Sequence, residues 1–392
     1  MTVYPIAPEA RLVLSRLVEH GFEAYLVGGY VRNLILKRPL TDLDITTSAS
    51  TDDVLSLFSD HQTSRVGERL GTIGVKINHA WIEVTTYRID AQSSNARHPD
   101  AIAFTQHLEE DLQRRDFTIN ALVLDVNGVL YDPLGGLNDL NAGIIRAIGT
   151  PDDRFQEDAL RILRALRFGA QLHFTIDHAT GEALLRHQAL LDRIPVERIR
   201  AELDKLIAAD SLETIFYPYF SVLQRCIALS SQGLAGFEHF EGRELKLLTL
   251  LEHLSPQALH DELLRLKYPK RFCSDMANLA RLRFVNADTP FAIKTLLHEY
   301  GQVWVERAMI YQDVKGIDGI DPKLYAQVMA SHPVVSLKQL AINGHDVRAL
   351  GVSGAAIQQI LDRLLVAVMA ESIPNTAQAL KAAARRFLDE KA

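Results

Sequence analysis

Apolar residues recur at helical spacing over Arg11–His20, where Leu12, Val13, Leu17 and Val18 predict an amphipathic helix. Beyond it the period shortens. Tyr25–Val27, Asp42–Thr46, Gly71–Ile77, Trp81–Tyr87 and Ala121–Asp125 are short apolar or alternating runs, the pattern of strands. Asn78-His79-Ala80 joins two of these runs as a hairpin. Asp90–Asp100 is polar without period and predicts a loop. After Gly135-Gly136 the pattern becomes helical almost throughout, from about residue 152 to the end. Asp158–Ala170, Pro195–Ala208, Glu244–Leu254 and Ala355–Met369 are the clearest helices, with Pro195, Pro269, Pro322, Pro333 and Pro374 as punctuation. The pattern predicts a small α/β head followed by a long helical body, without repeats or low-complexity tracts.

At 392 residues the chain exceeds one ordinary core, so two to four domains are expected. A hydrophobic share of 47% with 23% charged residues fits a soluble globular protein. No apolar run reaches the roughly 18 residues that span a bilayer, and the N-terminal stretch lacks the basic start and apolar core of a signal peptide. Cys226 and Cys273 lie far apart without metal-ligand spacing, as expected of plain thiols in a reducing cytoplasm. The net charge of −7 argues mildly against nucleic-acid binding. The arginines are clustered, however, and local patches attract phosphate even on an acidic chain.

The densest chemistry lies in YLVGGYVRNLILKRPLTDLDITT, Tyr25–Thr47. Gly28-Gly29 between an apolar run and a helix-like segment lets backbone N–H groups approach an anion. Arg32 sits in the first turn. Asp42 and Asp44 are two apart, so in a strand they share a face about 7 Å apart. Phosphate-binding groups beside two hard oxygen ligands suit a Mg²⁺-nucleotide site. A lone Asp-x-Asp also fits a solvated strand edge. Glu83 is a candidate third carboxylate if its face is that of Asp42 and Asp44 rather than the solvent side.

Two further clusters change the picture. Arg114-Arg115-Asp116-Phe117-Thr118-Ile119-Asn120 precedes an apolar run, and the arginine fork suits triphosphate oxygens. Asp116 as the cap of a turn, or Arg115 paired to Glu109, Glu110 or Asp111, is the structural alternative. In Glu157–Phe168, Asp158, Arg161, Arg164 and Arg167 recur every three residues along one helical stripe. Asp158 and Arg161 offer an acceptor and donors suited to a base edge, with Arg164 and Arg167 open to phosphate or a partner carboxylate. A solvated charged face is the alternative.

In kind and order these segments resemble class II tRNA nucleotidyltransferases, the CCA-adding enzymes, of the bacterial type without a phosphohydrolase domain. LVGGYVRN…TDLDI is similar to the family's first motif, RRDFTINAL to its second and EDALRILRALRF to its nucleotide-selecting helix. VGERLGTIGV, LYDPLGGLNDL, IPVERIRAELDKLI, INGHDV and IPNTAQAL match as well. The resemblance implies an α+β fold: a small nucleotidyltransferase head with a mixed sheet like that of DNA polymerase beta, then an elongated all-α neck, body and tail. The implied divisions are 1–140 (head), 141–208 (neck), 209–310 (body) and 311–392 (tail). It implies template-independent addition of CCA to tRNA from CTP and ATP. Asp42 and Asp44 would hold Mg²⁺. Gly29, Arg32 and Arg115 would contact the triphosphate. Asp158 and Arg161 would read the base, supported by Arg164 and Arg167. The helical parts would grip the tRNA acceptor stem and elbow, in a cytoplasmic homodimer. Two positions depart from the family: Asn33 stands where it usually carries Asp, and Ser93–Ala96 lacks the acidic residue that relatives often carry shortly before the arginine matched by Arg97, in a loop that helps the family switch from CTP to ATP.

Rival readings are a CC-adding or A-adding specialist, a poly(A) polymerase sharing the head, a catalytically silent tRNA-binding protein and an Asp-x-Asp glycosyltransferase. The last leaves the arginine helix and the helical second half unexplained. Arg265, Lys267, Lys270 and Arg271 form the best basic patch of the body for tRNA phosphates, or a solvated turn around Pro269. His253, His260-Asp261 and His345-Asp346 lack metal-ligand spacing and read as solvated or capping groups.

Overall fold

Pro8 and Glu9 open the first helix, α1 (Pro8–Glu19), where proline's missing N–H costs nothing and a carboxylate favours the positive helix end. Its Ala10, Val13, Leu14 and Leu17 are buried along one face. The computed structural model describes residues 2–40, 42–90, 102–230 and 233–389. The predicted 90–100 loop, including Arg97, therefore lies largely outside the described residues.

The following elements are β1 (Ala24–Val27), α2 (Gly29–Ile35), β2 (Leu43–Thr47), α3 (Thr51–Leu57), β3 (Gln62–Ser64), β4 (Thr72–Ile77), β5 (Ala80–Thr86), β6 (Arg88–Asp90), β7 (Ile102–Phe104), α4 (Leu108–Gln113), β8 (Val123–Leu124) and β9 (Leu130–Tyr131). Seven strands form one sheet in the order β3-β4-β5-β2-β1-β8-β9. The β2–β5 pair is parallel and the other neighbours are antiparallel, which makes the sheet mixed. Alternation works as the period demands: β4 buries Ile73, Val75 and Ile77, and β5 buries Ile82 and Val84. The hairpin between them is tighter than the sequence suggested. Ala80 already pairs with Ile77, leaving Asn78 at φ 53° and His79 as the turn. The predicted strand at Ala121–Asp125 shrinks to β8 because Thr118–Asn120 coil into a 3-10 turn.

Then come α5 (Gly136–Ala142), β10 (Ile144–Ile145), α6 (Pro151–Glu157), α7 (Leu160–Leu172), β11 (Thr175–Ile176), α8 (His178–His187) and α9 (Val196–Ile207). The stretch is not purely helical, since β10 and β11 pair in parallel. All these elements belong to one compact unit, Met1–Ser231, and Gln232–Ala392 forms a second. The second unit is helical, with Ala355–Met369 and Ala377–Asp389 burying Leu364, Leu380, Ala383 and Ala384 in one core. Among the described residues no helix is long and apolar enough to cross a membrane.

The turn at Thr118–Asn120 is wedged against α5. A Cβ at Gly136 would lie 2.2 Å from the Thr118 carbonyl oxygen, which is backbone and cannot swing away. Gly136→Ala is therefore expected to destabilise the first unit by about 1–3 kcal/mol, as overpacking does. Urea melts check this, and an unchanged midpoint would count against the wedge.

Candidate active site

Gly28 ends β1 at φ 78° and ψ −141°, a conformation open to glycine and strained for other residues. It is also a point of close approach. A Cβ there would stand 3.5 Å from Asp44 Oδ2 and 4.0 Å from Arg115 Nη1. The bare backbone thus leaves room between a carboxylate and a guanidinium that converge from different elements.

Asp42 immediately precedes β2 and is exposed, whereas Asp44 lies within the strand and is half-buried. In the sheet register Asp44 is opposite Val27 of β1 and Glu83 of β5. Residues in register share a face, so Glu83 belongs to the carboxylate side. The Asp44 carboxyl is pushed up to about 6, first by burial and then by Glu83, with Asp42 adding to the rise and Arg115 opposing it. Among the described residues no three His, Cys, Asp or Glu side chains form a closed metal cage. The donor set is instead an open edge of hard carboxylates, one of them destabilised as an anion. That fits Mg²⁺, which keeps waters and takes one or two carboxylates plus substrate phosphates.

Arg115 is placed by Asp111, one turn earlier. Asp111 is fully buried and accepts from Arg115 Nη2 at 3.0 Å, from Arg114 Nε and Nη2 at 2.9 and 2.7 Å, and from Thr46 Oγ1 of β2 at 3.0 Å. Burial alone would raise its pKa, but Arg115 and Arg114 prevail and hold it below the usual carboxylate range. The sequence offered Glu109, Glu110 and Asp111 as partners, and the fold selects Asp111. Arg115 Nε is buried and finds no hydrogen-bond partner among the described residues.

Arg32, in α2, is buried. Its Nε and Nη2 donate to Asn33 Oδ1 at 3.1 and 2.9 Å, and Nη1 donates to Asn120 Oδ1 at 2.7 Å. Asn120 Nδ2 donates in turn to Asp116 Oδ1 at 3.0 Å, and Asp116 Oδ2 accepts from Arg164 Nε at 2.7 Å. A buried relay thus runs from the glycine turn to α7. Asp116 also accepts from the Phe117 N–H at 2.8 Å, so it is both the expected turn cap and an ion-pair partner.

The arginine stripe needs one correction. Arg161, Arg164 and Arg167 share α7, but Asp158 does not. It ends α6 in extended conformation at φ −143°, and its Oδ1 accepts the Leu160 N–H at 3.0 Å. A short acid favours such local caps over helix interior. Asp158 Oδ2 accepts from Arg198 of α9 at 3.1 Å. Arg161 donates to Glu157 Oε2 at 2.8 Å and to the Arg114 carbonyl at 2.7 Å. Arg167 pairs with the buried Glu202 at 3.1 Å. The stripe is therefore mostly buried and paired, not a solvated face. Asn33 accepts from Arg32 as the sequence allowed, whereas Asn120 and Glu202 were not foreseen in these roles, because their partners lie far along the chain.

Other expected sites are more ordinary. Arg265 is held bidentately by Glu262 at 2.7 Å, whereas Lys267, Lys270 and Arg271 are exposed. Asp346 accepts the Asn343 N–H in a capping box. Cys226 and Cys273 are both buried.

A mixed sheet that carries paired carboxylates beside a glycine turn and convergent arginines defines the class: this is a nucleotidyltransferase. Residues 24–146 match the family described as the Poly A polymerase head domain, and residues 238–384 match tRNA nucleotidyltransferase domain 2. The CCA-adding enzyme of Anoxybacillus flavithermus is 34% identical over 403 residues, covering 95% of each chain. That of Limosilactobacillus reuteri is 35% identical over 395 residues, covering 95% of this chain and 94% of the relative. Among solved structures, the Bacillus stearothermophilus CCA-adding enzyme in complex with CTP superposes with TM-score 0.80 at 30% identity, over 98% of this chain and 100% of that one. A Thermotoga maritima CCA-adding enzyme complexed with tRNA shares the fold at TM-score 0.64 and 20% identity, covering 99% of this chain and 100% of that one. The chain belongs to the CCA-adding enzyme family.

Proposed function

We propose that this chain adds CCA to the 3′ end of tRNA from CTP and ATP without a nucleic-acid template. The observation that carries the reading is the meeting of Asp44 and Arg115 across Gly28, a cation-seeking and an anion-seeking group with open backbone between them. Asp42 and Asp44 would hold Mg²⁺, with Glu83 opposite Asp44 in the neighbouring strand. When bound, the ion neutralises phosphate charge and lowers the pKa of the attacking hydroxyl. Gly29, Arg32 and Arg115 bind the triphosphate. Asp158 and Arg161 read the base edge, trading their present partners Arg198 and Glu157 for base donors and acceptors. Arg164 and Arg167 brace this wall through Asp116 and Glu202. The bond from the tRNA 3′-oxygen to the α-phosphorus forms as the bond to the pyrophosphate oxygen breaks, and the hydroxyl's proton passes to solvent water.

The division into head (1–140), neck (141–208), body (209–310) and tail (311–392) assigns the tRNA stem and elbow to the helical parts. Arg265, Lys267, Lys270 and Arg271 contribute phosphate contacts there, and Arg97 belongs to the loop that switches nucleotide. The homodimer and the cytoplasmic location rest on the family alone, and light scattering of the purified chain tests the dimer.

Incubating the purified chain with tRNA lacking its 3′ CCA and labelled CTP or ATP tests the central reading. Ordered incorporation of both is expected. Incorporation of one alone would identify a specialist, long A tails a poly(A) polymerase, and none would sink the enzyme assignment. Nucleotide choice is a separate test. Each lost base contact is worth about 1–3 kcal/mol of discrimination, so Asp158→Ala and Arg161→Ala should each admit GTP or UTP roughly 10–100-fold more readily. Strict exclusion of both in the variants would refute the side-chain template.

A further inference from the structure

The sheet face that carries Asp44 does not end at the carboxylates. One cross-strand row runs Asp44–Glu83–Gly74–Ser64, from β2 through β5 and β4 to β3. The row beside it runs Trp81–Lys76–Gln62. One step before the Leu43–Ile82 pair of the β2–β5 register stand Asp42 and Trp81, so Trp81 borders the carboxylate edge. Alternation on β5 buries Ile82 and Val84 and turns Trp81 and Glu83 outward, and Trp81 is 44% exposed. The indole leans across Gly74, where a Cβ would stand 3.4 Å from Trp81 Cε3 and 3.3 Å from Ser64 Cβ. Lys76 Nζ lies 5.8 Å from the centroid of the indole. Among the described residues its side-chain partner is a neutral amide rather than a carboxylate, Gln62 Oε1 at 3.3 Å.

A lone exposed tryptophan is ordinary on a protein surface. Its place in the site is what gives this one a role. Gly28 and Arg115 approach Asp44 from the β1 side, whereas Glu83, Gly74 and Trp81 extend from it on the β5 side. In-line displacement sets the attacking and leaving oxygens on opposite sides of the phosphorus. With the triphosphate on the Gly28–Arg115 side, the attacking hydroxyl arrives from the side of β5 and β4. The nucleotide that carries it then lies over Gly74 and the indole, with its phosphate towards Lys76. Unpaired RNA ends are held by stacking on aromatic rings and by cations along the backbone. Stacking tolerates any base, as an end whose last base changes with each addition requires.

We propose that Trp81, seated on Gly74 with Lys76 beside it, is the shelf on which the 3′-terminal nucleotide of the tRNA lies when its hydroxyl meets the carboxylate edge. The inference rests on the reading of the chain as an enzyme that extends tRNA. Steady-state incorporation of labelled CTP into tRNA lacking CCA, by the full chain, reads it. In Trp81→Ala, kcat/KM for the tRNA should fall roughly 10–100-fold while KM for CTP stays within about twofold, because a stack is lost and the triphosphate contacts are not. Trp81→Phe keeps a ring and should lose less than about threefold. Lys76→Met should lose severalfold at low salt and little at high salt, as a phosphate contact does. A second readout is spectroscopic. Trp81 and Trp304 are the two tryptophans of the chain, so in Trp304→Phe the emission comes from Trp81 alone. The tRNA lacking CCA should quench it, and the same tRNA without its unpaired 3′ nucleotide should bind and leave it nearly unchanged. Trp81→Ala with a tRNA kcat/KM near that of wild type would overturn the proposal. So would Trp81→Phe as impaired as Trp81→Ala, a CTP KM that rises in step, Lys76→Met at wild-type efficiency in low salt, or emission indifferent to the 3′ nucleotide. Wild-type protein that incorporates no nucleotide would sink the enzyme reading itself, whereas an active wild type with an indifferent Trp81→Ala sinks this inference alone.

Discussion

Asp44→Asn is expected to lower nucleotide incorporation at least about 1,000-fold and, in the metal-free protein, to raise thermal stability at neutral pH. The loss follows from removing a ligand of a cation that supplies several kcal/mol of charge stabilisation. The gain in stability follows from the site. Asp44 is ionised at pH 7.5, yet burial, Glu83 and Asp42 push its folded pKa from 3.8 to about 6. A carboxyl whose folded pKa is raised binds its proton more tightly folded than unfolded, so its charge costs stability above about pH 6. That cost falls away as pH drops from 6 towards 4, and at neutral pH it amounts to roughly 2–3 kcal/mol. Asparagine removes it. Calorimetric melts of both proteins at pH 7.5 and pH 5, with and without Mg²⁺, give the outcome. Wild type should gain from Mg²⁺ and the variant should not, and the variant's advantage in chelator should shrink at pH 5. An Asp44→Asn protein that retains turnover, or that melts below wild type in chelator at pH 7.5, would remove the argument that this edge is built for a cation.

How far such a site is legible depends on where its contacts lie in the chain. The period of two in Asp42-Leu43-Asp44 is local, and the face it predicts is available from the residues alone. Glu83 reaches that face only through the parallel pairing of β2 with β5, and no neighbouring residue encodes the pairing. Its role therefore stayed open in the sequence. The Asp158 misassignment has the opposite origin. Asp158-Ala-Leu-Arg has the spacing of a helical stripe, but one Asp158 oxygen caps the Leu160 N–H, the other accepts from the distant Arg198, and together they hold the residue extended. The relay from Arg32 to Arg164 is the least legible part, since Asn120 lies 88 residues from Arg32 and Asp116 lies 48 from Arg164. Asp111 was half-visible: its spacing to Arg114 and Arg115 is that of helical neighbours, yet two adjacent acids shared the credentials.

Asp111 is also where the largest structural penalty is expected. Its carboxylate is fully buried, and it binds Arg114, Arg115 and the hydroxyl of Thr46. In Asp111→Ala two partly buried guanidiniums lose their counter-charge, a change that costs about 3–5 kcal/mol when a buried pair is broken from one side. Its pH signature is opposite in sign to that of Asp44. Because Arg115 and Arg114 hold the Asp111 carboxyl below the usual range, its contribution is complete above about pH 4 and is lost as pH falls through the lower folded value. Asp111→Asn keeps the shape and an acceptor while discharging the group, so it should retain the fold and lose part of the stability. Since Arg115 is aimed by Asp111, the asparagine variant should also bind CTP more weakly at neutral pH, with CMP less affected. Urea melts and nucleotide titrations of the two variants decide the matter. A stability loss under about 1 kcal/mol in Asp111→Ala would show that the arginines find other partners, and Asp111 would no longer explain how Arg115 comes to stand beside Asp44.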